Sequence, residues 1–269
     1  MKLRLVPALQ GWRWVQQGLL TAKAQPVAFL ALVGLVTSGM LLLAILPGLG
    51  ALLVLGLMPA VWMSFMLATH MATKGQRITP AVLLDPWRMP DAPKQEWVKL
   101  GAAYMAAMLL TMQLADLLGP GSEALQLAQE QAKELSDLVQ DPTVQADALW
   151  RWGLTLPVSL LFWHTPALVL WGRIPVSKAI FFSAIASWRN LTAFVVYALS
   201  WAAVALVVAM VIRAIAMLVP VAMLVEVLVV MIGMWTASAF YASLYFTVVD
   251  CFEAPNQEDK SPPAPSTNE

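Results

Sequence analysis

The sequence predicts an all-α, polytopic membrane helix bundle, and three observations support that fold class. First, 60% of the 269 residues are hydrophobic and only 12% are charged, whereas soluble domains carry about 25% charged residues. Second, the mean hydropathy is +0.72. Third, the apolar residues form stretches of the length, about 20 residues, that a helix needs to cross the hydrocarbon core. An open sheet is excluded because its edge strands would leave backbone groups without hydrogen-bond partners in lipid, whereas a helix pairs its own backbone groups.

About six transmembrane spans are predicted. They cover residues 27–47, 50–72, 97–118, 152–172, 190–217 and 221–249. The turn from Pro47 to Gly50 joins the first two spans, and Pro220 separates the last two, since proline ends one helix and can start the next. Three further segments flank or interrupt this membrane domain, 27–249: a cytoplasmic amphipathic segment (1–26), an outer insert (119–150) and a disordered, acidic, proline-rich tail (250–269).

The distribution of positive charge predicts the orientation. With the N-terminus inside, only Lys133, Arg151 and Arg213 of the 16 lysine and arginine residues fall on the outer side. Loops rich in lysine and arginine stay in the cytoplasm. We therefore expect a multi-pass protein of the bacterial inner membrane, with both termini cytoplasmic and the insert 119–150 in the periplasm.

Tryptophan-arginine pairs precede the first, third and fifth spans on the predicted cytoplasmic side. These interfacial anchors are Trp12-Arg13, Trp87-Arg88 and Trp188-Arg189. Tryptophan favours the headgroup level, and arginine there can reach lipid phosphates. One interpretation is three tandem helical hairpins, each preceded by an interfacial segment. The alternative is that any membrane protein places tryptophan and arginine at this level.

The N-terminal segment has the spacing of an amphipathic helix. Leu9, Trp12, Val15 and Leu19 recur at helical intervals, which suits a short helix lying flat on the membrane surface. Its expected role is to orient the first span; binding of lipid or of a partner is the alternative.

The outer insert is predicted to be one amphipathic helix of roughly five turns. Ser122 is the predicted N-cap, and Asp141 followed by Pro142 ends the helix. Its apolar face is a candidate docking surface for a membrane-protein partner, with the alternative that the face rests on the membrane or on the chain's own loops. The face consists of Leu125, Ala128, Ala132, Leu135 and Val139, at heptad spacing.

An ionisable side chain within a membrane span costs free energy of insertion, so each one is a candidate functional residue. Arg213 and Glu226 lie nearly equidistant from the turn between the last two spans. We expect a structural salt bridge between them, with a gated ion or proton site as the alternative. Asp116 is expected to pair with Arg151 at the outer side.

His164 lies within the fourth span, next to Thr165 and Pro166. Proline frees a backbone carbonyl one turn earlier, which the side chain of Thr165 or His164 could satisfy. Haem ligation by two histidines is disfavoured because His70 lies at a different predicted depth. The single cysteine and the absence of zinc-ligand spacing predict no metal or cofactor, and the net charge of +0 argues against a nucleic-acid partner.

Two stretches resemble an uncharacterised family of polytopic inner-membrane proteins of proteobacteria. They are Met1 to Pro7 with Gly11 to Trp14, and Phe182 to Tyr197; the ending from Tyr241 to Phe252 is also similar. The resemblance implies a bacterial inner membrane and about six helices, and it implies no activity.

Three classes of function follow from these observations. The favoured class is a non-enzymatic accessory or scaffold subunit of a larger inner-membrane assembly, because the buried charges are few and expected to pair with each other. A small transporter or lipid-handling protein is the alternative. An intramembrane enzyme is the weakest, since the sequence has neither a nucleophile elbow nor a glycine-rich phosphate loop.

Overall fold

A computed structural model describes residues 2–90, 92–132, 135–218 and 221–253, and most of these residues are helical. The helices are α1 (Gln10–Ala24), α2 (Pro26–Ala44), α3 (Gly50–Thr73), α4 (Asp85–Arg88), α5 (Lys94–Leu118), α6 (Gly121–Gln131), α7 (Leu135–Gln140), α8 (Pro142–Phe162), α9 (Thr165–Leu170), α10 (Val176–Arg189), α11 (Leu191–Leu218) and α12 (Ala222–Cys251). A 3₁₀ turn, Pro80–Leu83, precedes α4. Two short strands, β1 (Lys2–Leu3) and β2 (Phe252–Glu253), pair antiparallel.

The predicted membrane spans are confirmed in number and closely in extent. Six helical stretches within the described ranges are long and apolar enough to cross a membrane: α2, α3, α5, α8 with α9, α11 and α12. The fourth begins at Pro142 instead of residue 152. Its earlier start has a local cause, because the Asp141 carboxylate accepts hydrogen bonds from the amides of Thr143 (2.7 Å) and Val144 (3.3 Å) and so caps the helix.

The prediction of a single outer helix is wrong. The insert forms two helices, α6 and α7, because the backbone at Ala132 turns to an extended conformation (φ −73°, ψ 130°). Ser122 is not the N-cap, since it lies inside α6 after Pro120 and Gly121. The predicted stop is confirmed, as α7 ends at Gln140.

Helix α1 is packed into the bundle along a face different from the predicted one. Leu9 and Trp12 are exposed, whereas the buried positions are Gly11, Trp14, Val15, Gly18 and Ala22. This face packs on α11 and α12. A Cβ atom at position 11 would overlap the carbonyl oxygen of Ala193, so glycine permits a backbone approach that hydropathy spacing does not reveal.

The first and last described residues meet on one side of the molecule. Lys2 pairs with Glu253 and Leu3 with Phe252, and the Arg4 amide donates to the Cys251 carbonyl at 2.9 Å. We call this the terminal side, and the opposite side, where α6 and α7 lie, the insert side.

The packed core lies toward the terminal side. The buried residues of α11 are Ala193, Phe194 and Tyr197, near its terminal-side start, and those of α12 lie within 238–251, near its terminal-side end. Of the three predicted hairpins, α2 packs on α3 and α5 on α8, while α12 contacts α1 and α3 more than it contacts α11. Whether the three hairpins descend from a repeat stays a prediction.

Candidate functional site

The fourth span is broken between α8 and α9, at Trp163 and His164. Pro166 has no N–H to offer the carbonyl of Phe162, and its ring crowds that carbonyl. Irregular backbone at membrane depth is tolerated where it lines a cavity or is buried in protein. The break is therefore a candidate functional site.

Hydroxyl groups replace the helical hydrogen bonds that the break removes. The His164 amide donates to Ser183 Oγ at 3.0 Å, and the Ser187 hydroxyl donates to the Leu160 carbonyl at 3.1 Å. Thr165 Oγ1 donates to the Leu161 carbonyl at 2.9 Å, which is the neighbour of the Phe162 carbonyl that the prediction concerned. The side chains of His164, Thr165, Ser183 and Ser187 are all buried. The break and α10 therefore share one continuous polar cluster.

The imidazole of His164 is the unusual group of this cluster. It is fully buried, with the rings of Phe194 and Phe252 edge-on at 5.7 and 5.3 Å between centroids. Neither ring nitrogen hydrogen-bonds to a described residue within normal geometry, although backbone groups of Thr247 and Ser183 lie near. The expectation that this ring satisfies the freed carbonyl is wrong, because phenylalanine rings line its surroundings. Buried polar groups without partners cost roughly 1–3 kcal/mol.

The second histidine belongs to a different cluster. His70 Nδ1 lies 2.9 Å from Tyr245 Oη, and the ring of Trp171 is 6.1 Å away. Within the described ranges, no three histidine, cysteine, aspartate or glutamate side chains converge as metal ligands.

Two polar side chains fasten the ends of the chain to the bundle, and together with β1 and β2 we call them the terminal clasp. Asn190, only 1% exposed, accepts from the Val6 amide (2.9 Å) and donates to the Arg4 carbonyl (3.1 Å). Asp250 Oδ2 accepts from Gln10 Nε2 (2.6 Å) and Trp14 Nε1 (2.7 Å). Sequence reasoning missed both residues, since it assigned Asp250 to the tail and treated Asn190 as the start of a span.

One further bond connects the break to α12, and a second joins α11 to α12. Trp163 Nε1 donates to Thr247 Oγ1 at 3.1 Å, and the hydroxyls of Tyr197 and Ser243 lie 2.6 Å apart. Thr247 and Ser243 in turn donate to carbonyls of their own helix. The hydroxyls of the cluster are thus used to hold helices together.

The predicted salt bridge between Arg213 and Glu226 is not formed. Both side chains are exposed, and the ion pairs of the described residues include neither of them. The two charges lie on exposed surfaces of α11 and α12, whose apolar windows are only 6% and 11% buried, so neither side chain is turned toward the neighbouring helix.

The other predicted ion pair is confirmed and has a third member. Arg151 Nη2 lies 2.6 Å from Asp116 Oδ1, and Arg151 Nε lies 2.7 Å from Asp147 Oδ2. Sequence reasoning missed Asp147, although its spacing of four residues from Arg151 is a helix-pairing signal. The cluster joins α5 to α8 at the insert side.

The interfacial anchors have largely exposed side chains. Trp12, Arg13, Arg88, Trp188 and Arg189 are exposed, as membrane-surface anchors should be. The exception is the half-buried Trp87, whose ring lies 6.2 Å from that of Trp97.

The candidate docking face of the insert is turned toward the chain itself. Ala128 is only 7% exposed and Leu125 is half-buried, because α6 packs on α8 and α5. Ala132 is half-buried as well. The side chains of Leu135 and Val139 lie outside what the structure describes. The alternative of a face resting on its own protein is therefore favoured for α6.

The fold and this packing define a polytopic, all-helical integral membrane protein. No family model and no solved structure matches the chain. It is 30% identical, over 272 residues and the full length of both chains, to a probable inner membrane protein of Burkholderia thailandensis. The chain belongs to that family of polytopic inner-membrane proteins.

Proposed function

We propose that the protein is a non-enzymatic accessory or scaffold subunit of a larger inner-membrane assembly. One observation carries the proposal: the buried hydroxyls around the broken span bond to the chain's own backbone. Ser183 and Ser187 both donate to the Leu160 carbonyl, and Thr165 donates to that of Leu161.

A transporter of polar solutes would use such groups differently. Its broken helices present carbonyls and helix ends to a substrate at mid-membrane. Here the only side chain of the cluster that keeps both polar atoms unbonded, among the described residues, is His164, and Phe194 and Phe252 enclose it. This enclosure supports a structural core over a transport path.

The uncovered membrane helices support an assembly partner. Helix α2 has an apolar window that is 17% buried, and that of α11 is 6% buried. Neighbouring subunits can pack on such faces through van der Waals contacts. We further propose that the terminal side is cytoplasmic and α6 with α7 periplasmic, because Arg4, Arg13 and Arg189 project from the terminal side.

Gentle extraction followed by native mass spectrometry tests the proposal. A tagged chain, expressed at its natural level, is expected to carry a second protein in fixed stoichiometry. Tagging that second protein should recover this chain in the same ratio. Recovery of this chain alone, or only with copies of itself, would overturn the accessory role.

A lipid-handling function is the second candidate, and two grooves favour it. The half-buried Trp87 lines both of them, one of about 420 Å³ between α2 and α3 and one of about 400 Å³ between α3 and α5. Their walls are apolar, with residues such as Leu57 and Met105, and suit acyl chains. The Trp87→Ala variant is expected to retain less phospholipid after detergent washing than the wild type. Trp188→Ala is the matched control, since Trp188 is 75% exposed; equal retention by both variants would count against a lipid site.

A further inference from the structure

Two opposite charges near the insert side have no partner within the described chain. Arg213 and Glu226 are exposed on otherwise apolar helices and belong to none of the ion pairs. Ionisable side chains in membrane spans usually pair with one another or face a protected interior. An exposed arginine and an exposed glutamate on neighbouring helices, neither of them in an ion pair of the described residues, therefore favour a complementary surface.

The two charges lie at the same depth in the membrane. Arg213 is five residues before the end of α11 at Leu218, and Glu226 is four residues after the start of α12 at Ala222. With a helical rise of about 1.5 Å per residue, they lie about 7.5 and 6 Å from the insert-side ends of their helices. Neighbouring helices that run in opposite directions thus carry the two charges at matching levels.

A two-fold axis along the membrane normal preserves depth. Rotating the chain about such an axis beside α11 and α12 brings a second Glu226 level with the first Arg213, and a second Arg213 level with the first Glu226. Closed two-fold interfaces use the same surface of both copies and must be self-complementary. One positive and one negative charge at a common level meet that requirement.

The face of α11 that contains Arg213 has small side chains that permit close approach. Along one edge of this face, Ala198, Ala202, Ala205, Ala209, Arg213 and Ala216 recur at intervals of three or four residues and are exposed. The larger Leu199, Leu206 and Met217 are exposed along its other edge. The half-buried positions of α11, such as Val204, Val208 and Ile212, lie on another face. Small residues at helical spacing let membrane helices pack closely.

We propose that a second copy of this chain covers α11 and α12, with Arg213 of each copy paired to Glu226 of the other. The proposal goes beyond the accessory role and does not rest on it. A different protein at this surface, or side chains that reach the lipid headgroups, would be the outcome if the test fails.

Disulfide cross-linking in native membranes tests the interface. The native Cys251 is buried, so the parent chain is expected to give no cross-link. Ala209→Cys should give a covalent dimer. Val207→Cys is the matched control: it lies two residues away, on the opposite face of α11, is also exposed, and should cross-link little.

Charge reversal identifies the pairing. Arg213→Glu or Glu226→Arg, each combined with Ala209→Cys, should lower cross-linking at least about tenfold, equivalent to about 1.4 kcal/mol. Co-expression of the two reversed chains should restore the dimer, because one chain then carries two negative charges and its partner two positive ones. Recovery on co-expression also shows that each variant folds.

Two results would overturn the proposal. One is cross-linking at position 209 that charge reversal leaves unchanged, as expected for side chains that reach the headgroups. The other is the absence of a dimer at position 209 while the chain still purifies with a different protein, which would leave the accessory role intact. Should a reversed chain fail to accumulate, Arg213→Gln and Glu226→Gln replace it, and both must weaken the dimer.

Discussion

The terminal-side and insert-side halves of the bundle differ in the burial and hydrogen bonding of the polar side chains on their helices. Toward the terminal side, Asn190, Ser183 and Ser187 are buried and bonded across helices. Toward the insert side, Arg213 and Glu226 lie exposed on helices that the chain hardly covers. Both halves are apolar, so hydropathy does not separate them. What separates them is whether short polar side chains bond across helices, as those of Ser183 and Asn190 do in the terminal half.

The largest expected effect is at the close approach of α1 to α11. In Gly11→Ala the new Cβ would overlap the backbone oxygen of Ala193, and backbone cannot yield cheaply, so the free energy of unfolding should fall by about 3 kcal/mol. Gly39→Ala, where nothing lies within 4 Å, is the matched control and should be neutral or slightly stabilising. Denaturation in detergent measures both; equal losses would contradict the packing of α1.

The next largest effect should come from the terminal clasp. Asn190→Ala leaves the Val6 amide and the Arg4 carbonyl without their partner, which should lower stability by about 2–3 kcal/mol. Hydrogen exchange at the Val6 amide should accelerate in parallel. Ser200→Ala, which removes a bond only to the carbonyl of Val196 in its own helix, is the control. Unchanged exchange at Val6 would show that the clasp does not hold the N-terminus.

A smaller effect is expected at the break of the fourth span. Ser183→Ala removes the acceptor of the His164 amide and should lower stability by about 1–2 kcal/mol. Faster exchange of that amide would locate the effect. Thr236→Ala, whose hydroxyl bonds to the Ile232 carbonyl of its own helix, provides the comparison. If the His164 amide exchanges at the same rate in both variants, the hydrogen bond to Ser183 of α10 does not stabilise the backbone at the break.

The smallest effect concerns the insert-side start of α8. The amides of Thr143 and Val144 donate to the Asp141 carboxylate, and the Thr143 bond is the main cause of its lowered pKa. A depressed pKa means that the stabilisation is present above the unfolded-state pKa and is lost as pH falls through the folded-state pKa. The protection of the Thr143 amide, which is its exchange rate relative to the intrinsic rate at the same pH, should therefore fall in acid for the wild type. In Asp141→Asn this fall should be absent, because an amide side chain does not titrate; an equal fall in both proteins would exclude Asp141 as its source.

Particular residues show how far sequence reasoning reaches. The Asp116–Arg151 pair was predicted, because it needs only a simple helix register. The Arg213–Glu226 pair was predicted by the same logic and failed, since equal depth does not decide which face of each helix turns toward its neighbour. The buried face of α1 was missed because it includes Gly11 and Gly18, and glycine scores as neither apolar nor polar.

Proline illustrates the same limit. Pro59 and Pro157 lie inside continuous helices, whereas Pro166 coincides with a break. The three residues look alike in sequence. At Pro166 the hydroxyls of Ser183 and Ser187 on α10 supply replacement bonds, and only the folded chain brings them there.

Membrane class, span number and most span boundaries follow from hydropathy and length alone, since a helix must bury its backbone polar groups over about 30 Å of hydrocarbon. The choice of neighbours does not follow from them, because lipid is as apolar as leucine and gives no hydrophobic preference among helices. The close approaches at Gly11 and Gly18, and the hydrogen bonds that Asn190 and Asp250 accept, make that choice. Tertiary packing therefore decided which helix faces the chain itself covers and which it leaves exposed.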